Sequence, residues 1–107
     1  MSEIYEVVRS RVEPANEAAM LELRPAMVAA VRRRFPALLD ARLVRMDDGT
    51  WLDVVRWSSR EAADAAATQF AEIPEAREMS ALVAEVLSFE HGVLAEPGTD
   101  VAFDRSA

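Results

Sequence analysis

The sequence predicts an α+β domain built on a four-stranded antiparallel sheet, and three observations carry that prediction. Stretches rich in β-branched residues stand near both ends and in the middle of the chain. Helix-period apolar stripes fall between the first and second of them and between the third and fourth. The triplet Asp47-Asp48-Gly49 supplies turn chemistry between the second and third.

The first strand spans Ile4 to Val12, where Ile4, Tyr5, Val7, Val8 and Val12 mix with Glu6, Arg9, Ser10 and Arg11. A helix follows from Asn16, a candidate N-cap, to about Arg34, with Met20, Leu23, Met27, Val31 and Phe35 marking its buried face. Pro25 removes a backbone bond there, which predicts a kink or two abutting helical pieces. Arg32, Arg33 and Arg34 crowd the last turn, where they favour the negative end of the helix dipole.

Leu38 to Met46 predicts a second strand and Thr50 to Trp57 a third, joined as a hairpin. Ser58-Ser59-Arg60-Glu61 has capping-box spacing and opens a second helix through the alanine-rich run to Phe70. Pro74 begins a further short helix with Met79, Leu82 and Val83 on its buried side. Glu85 to Ala95 predicts the fourth strand, and Pro97-Gly98 closes the fold. The expected division is therefore one domain over residues 1–96 and a tail over 97–107. Strand, helix, strand, strand, helix, strand is the ferredoxin-like βαββαβ arrangement, with both helical layers on one face of the sheet. The other face is partly apolar and predicts a homodimer formed by sheet stacking on sheet.

Composition excludes several function classes. The 107 residues have no cysteine, which removes disulfides, thiolate metal sites and a cysteine nucleophile. A net charge of −7 argues against binding a nucleic-acid backbone. No apolar run is long enough for a membrane span, and Met1 to Tyr5 lacks the features of a secretory leader, so the expected location is cytoplasmic. Glycine-rich phosphate loops and nucleophile elbows are missing, with only three glycines in the chain. No cofactor is expected.

The segments VVRSRVEP, DDGTWLDVVRWSSREAADAAA and VLSFEHG resemble the antibiotic biosynthesis monooxygenase family of dimeric α+β barrels, over about residues 4 to 95. The resemblance implies a cofactor-independent monooxygenase-like protein acting on a small aromatic or polyketide-like compound. The same fold also hosts dimeric modules that bind small ligands or serve assembly without catalysis, which is the alternative. Relatives that degrade haem are similar in carrying a first-strand asparagine, which aligns here with Val8, and a histidine for which Ser58 to Leu87 offers no counterpart. Haem chemistry is not expected.

Setting the more apolar side of each strand toward the helices places Ile4, Glu6, Val8 and Ser10 together, with Leu39, Ala41 and Leu43 on strand two and Leu87, Phe89, His91 and Val93 on strand four. The orientation of strand three stays open. If its Trp51, Asp53, Val55, Trp57 side joins them, Glu6, Asp53 and His91 become polar groups on an apolar surface. A carboxylate beside an imidazole orients the ring and fixes its tautomer, so His91 would serve as a general base assisted by Glu6 and Asp53. Trp57, Trp51, Phe89, Tyr5, Met20, Met27 and Met79 are the candidate walls of an aromatic pocket. Against this stand structural roles: a hydrogen-bonded interface histidine, a tryptophan packed beneath a helix start, and carboxylates paired with Arg9, Arg11, Arg42 or Arg56. No ligand spacing supports a metal site.

Overall fold

A computed structural model describes residues 3–96 and Gly98. The elements follow the order β1 (Ile4–Val12), α1 (Pro14–Arg34), β2 (Leu38–Arg45), β3 (Trp51–Trp57), α2 (Arg60–Gln69), a 3-10 turn (Phe70–Glu72), α3 (Pro74–Leu82) and β4 (Val83–Val93). The four strands form one sheet in the order β2-β3-β1-β4, and every neighbouring pair is antiparallel. This is the ferredoxin-like βαββαβ fold. The tail expected over 97–107 lies, apart from Gly98, outside the described residues. Among the described residues no helix is long and apolar enough to cross a membrane.

Local chemistry explains most boundaries. In the β2–β3 hairpin Gly49 takes φ +86°, a conformation that side chains with a Cβ resist. The Asp48 carboxylate accepts from the Thr50 backbone N–H at 2.9 Å and from its hydroxyl at 2.6 Å, closing the turn. α1 starts earlier than expected. Pro14 occupies its first turn, Glu13 is the N-cap, and Asn16 lies inside the helix with its N–H on the Glu13 carbonyl at 2.8 Å. The helix also passes Pro25 without dividing. Pro25 and Leu21, the residue whose carbonyl loses its partner there, are both exposed, so water can serve that group.

The cap of α2 is Ser59, whose hydroxyl accepts from the Ala62 N–H at 3.1 Å, one residue beyond the predicted Ser58. Glu61 therefore does not complete a capping box. The arginines ending α1 do more than face its dipole. Arg34 reaches Gln69 at 2.8 Å and Glu72 at 3.2 Å, and Arg33 reaches Glu75 at 3.5 Å, tying α1 to the end of α2 and to the segment that follows it.

Between sheet and helices lies the core, which includes Ile4, Val12, Met20, Met27, Val31, Leu38, Trp51, Val55, Trp57, Ala63, Ala66, Ile73 and Met79. The open question of strand three is settled by its pairing. Trp51, Val55 and Trp57 are buried, with Ser10, Glu6 and Ile4 opposite them on β1. Two strand assignments need correction, each for the same reason. A bulge between Leu38 and Asp40 turns Leu38 inward opposite Trp57 and leaves Leu39 exposed. A second irregularity at Arg9/Ser10 places Val86 opposite Ser10 and skips Leu87, so Leu87 leaves the helix-facing row.

Candidate functional site

The helix-facing side of the sheet and the three helices enclose a cavity of about 440 Å³. Its floor comes from the alternate residues of three adjacent strands: Glu6, Val8 and Ser10 of β1, Asp53, Val55 and Trp57 of β3, Ala41 and Leu43 of β2. Met20, Met27 and Val31 of α1 form its roof, at spacings of seven and four residues that keep side chains on one helical face. Phe70 and Met79 close one side. On the β4 side Val86 and Phe89 line the cavity yet are 57% and 48% exposed, so this edge is its open mouth.

Two polar pairs stand on this surface. His91 Nε2 lies 3.3 Å from Glu6 Oε2, from strands paired in register with Glu6 opposite His91. Both side chains are nearly enclosed, at 11% and 12% exposure. Burial pushes the Glu6 carboxyl above its ordinary value; His91 pulls it back and Asp53 pushes it further up. Trp57 Nε1 is buried without a partner at hydrogen-bond geometry, although the indole is near enough to Glu6 to lower its pKa slightly. The His91 ring meets Phe89 edge-on, with centroids 5.2 Å apart. Glu6 lines the cavity, whereas His91 does not.

The second pair joins Asp53 to Arg24 of α1. Arg24 Nη1 donates to Asp53 Oδ2 at 2.7 Å and Nη2 to Oδ1 at 2.9 Å, a two-pronged ion pair on the cavity wall. Asp53 is therefore held by α1, not by Arg9, Arg11, Arg42 or Arg56. Arg24 was not legible as a site residue from the apolar pattern alone. The signal was its position: it lies four residues after Met20 and three before Met27, inside the buried stripe, where a charge requires a partner.

Of the expected pocket walls, Trp57, Phe89, Met20, Met27 and Met79 line the cavity. Trp51 and Tyr5 do not. Trp51 is buried at the far end of β3, with the Arg45 guanidinium 5.2 Å from its ring centroid and Arg45 in turn 2.7 Å from Glu17 of α1. Tyr5 pairs with Arg56 and Gly92, a position that alternation assigns to the free face of the sheet. Among the described residues no three His, Cys, Asp or Glu side chains gather in a way that could hold a metal ion.

No curated protein sequence matches the chain significantly. Solved structures do. SnoaB, a cofactor-independent oxygenase from Streptomyces nogalater, is 24% identical, with 92% of this chain and 97% of that one covered at a TM-score of 0.65. Rv0793 from Mycobacterium tuberculosis is 23% identical over 94% of this chain and all of that one (100%), at 0.59. NE2512, a protein of unknown function from Nitrosomonas europaea, reaches 0.67 at 13% identity, with 95% and 98% covered. These likenesses extend the fold agreement to β4, beyond the part of the chain that carries the sequence signal. Residues 3–69, from β1 through α2, match the model of the antibiotic biosynthesis monooxygenase family, and the chain belongs to that family.

Proposed function

We propose that the protein is a cofactor-independent monooxygenase that binds a small aromatic or polyketide-like compound in the cavity between sheet and helices. Family membership supports a monooxygenase-like role. The observation that carries the reading further is the Glu6–His91 pair at the floor of an otherwise largely apolar, aromatic-walled cavity. Because Glu6 lines the cavity and its partner His91 does not, Glu6 is the group that takes a proton from the substrate and His91 the group that positions it and shares the proton. A carboxyl with a pKa raised by burial is a stronger base than an exposed one, which suits removal of a proton from an activated ring carbon. The carbanion so formed reacts with dioxygen. Net conversion of a methylene to a carbonyl consumes one dioxygen and releases one water, and needs no further reductant.

The test is oxygen uptake by the purified protein with anthrones and hydroquinones, without added metal or flavin, beside Glu6→Gln, His91→Ala and Trp57→Phe. Uptake should fall at least about a hundredfold in Glu6→Gln, the usual scale of a general base, and less in His91→Ala. Tight binding of the same compounds without uptake would instead leave a non-catalytic binding module.

The reading includes a homodimer. β4 is an edge strand with Val86, Leu87, Phe89 and Val93 exposed, and the free face carries Tyr5, Val7, Leu52 and Val54, none of them fully buried. A second copy would cover both and narrow the cavity mouth. Light scattering should report twice the chain mass, reduced to one chain by Val93→Glu; a monomer mass at micromolar concentration would refute the dimer.

A further inference from the structure

Arg24 occupies a position in the α1 stripe that leucine or methionine could fill. It is 8% exposed, among the most enclosed side chains of that helix, and replacing a buried ion pair by apolar residues is commonly neutral or stabilising. Packing alone therefore gives no reason for a guanidinium there. Asp53 engages one N–H on each terminal nitrogen. An arginine has five such donors, and Nε–H and the outer N–H groups of Arg24 have no protein partner among the described residues.

Both members of the pair line the cavity, so unused donors and a carboxylate with spare acceptor capacity stand side by side on its wall. Glu6 is their neighbour. Val8 lies opposite Asp53 and Glu6 opposite Val55, which puts Glu6 and Asp53 on the same face, diagonally across β1 and β3, close enough for Asp53 to influence the Glu6 carboxyl.

Resting on the oxygenase reading, we propose that Arg24, held in place by Asp53, anchors the oxygen atoms of an aromatic ketone flanked by a phenolic hydroxyl. The ketone oxygen accepts from the free donors of Arg24, and the neighbouring hydroxyl donates to Asp53. When Glu6 takes the proton from the ring carbon, the electron pair of the broken C–H bond moves through the ring to the ketone oxygen, which becomes an enolate facing the guanidinium. Nothing is oxidised in this half-step. A fixed positive charge aimed at the atom where negative charge develops favours the transition state more than the ground state, the more so in a largely apolar cavity. Lysine could supply the charge but not the planar fork that binds Asp53 and ligand together.

Binding under argon separates this anchor from the oxygenase reading, since no turnover can occur. Trp57 fluorescence in a Trp51→Phe background reports on the cavity, and the probes are dithranol, with ketone and flanking hydroxyls, anthrone, with the ketone alone, and dihydroanthracene, with neither. Dithranol should bind at least about tenfold tighter than dihydroanthracene, the effect of one charge-assisted hydrogen bond. In an Arg24→Met, Asp53→Leu double variant that preference should vanish while dihydroanthracene binds as before. Arg24→Lys, which keeps the ion pair, should lose about half of the preference on a logarithmic scale and gives a second reading if the double variant folds poorly. A preference that survives the double variant, or is absent from the parent protein, overturns the anchor and leaves the oxygenase reading standing. Failure of all three probes to bind the parent overturns both.

Discussion

β3 and β4 are the two neighbours of β1 in the same sheet, yet they differ in almost every physical respect. β3 lies beneath the helices with β2 on its far side, and its Trp51, Val55 and Trp57 are buried. β4 is four residues longer, 11 against 7, yet none of its residues is fully buried, and Val86, Leu87, Phe89 and Val93 are exposed. Antiparallel pairing with the same strand thus serves two ends. Side chains on β3 hold the domain together, whereas those on β4 are left free to meet something else, and the cavity opens where one regime gives way to the other.

The sharpest way to break this contrast is a pair of aromatic truncations on the same cavity. Trp57→Ala should destabilise the domain by roughly 3–5 kcal/mol in urea denaturation, the range for removing a buried aromatic ring, since it also loses its edge contact with Phe35 at 6.5 Å. Phe89→Ala on β4 should lose about 1 kcal/mol or less while still weakening ligand binding. Equal losses would mean that the second copy covers Phe89 as fully as the helices cover Trp57.

Next in size is the single change Arg24→Met, which strands Asp53 on the β3 side of the cavity. The loss expected is roughly 2 kcal/mol, below the usual range for a broken buried pair because the Asp53 side chain is 25% exposed and water screens it. Restoring balance with Asp53→Leu should recover most of that loss, read from the same denaturation curves.

These expectations draw on residues whose roles were unequally legible in the sequence. The order of elements, the Gly49 turn and the extent of β1 follow from local signals, because turn chemistry and β-branched runs act over a few residues. The shared face of Glu6, Asp53 and His91 was conditional on strand three and became definite only with its register. Leu39 and Leu87 were misplaced because a bulge adds one residue without altering the apparent apolar alternation around it. Arg24 was hidden by its charge: reading the α1 stripe by hydrophobicity passes over the one position whose partner sits 29 residues away. Trp51 and Tyr5 look like pocket residues by type alone, and only alternation and strand ends tell them from Trp57.

A smaller effect tests the cover over β3. Ser59→Ala should lower stability by about 1 kcal/mol, the usual value of an N-cap hydroxyl, while Ser58→Ala should change it little. Thermal melts of the two variants decide which serine starts α2.

The smallest expected change concerns Glu6, where β3's side of the cavity and β4's meet, because attraction to His91 offsets part of what burial opposes. Its folded pKa is raised above the ordinary 4.5. Between those two values the native protein still holds a proton that the unfolded chain has released, so unfolding releases a proton and stability falls as pH rises. The favourable contribution is fully present below 4.5 and is lost as pH passes through the folded pKa. Glu6→Gln cannot ionise, so it should be slightly more stable than the parent at neutral pH, with the difference closing at pH values below 4.5. Melting temperatures across that range check the sign. A variant less stable than the parent at neutral pH would mean that the ion pair with His91 outweighs burial, and that the carboxylate is held as a structural partner of β4 instead of as a base poised over the cavity.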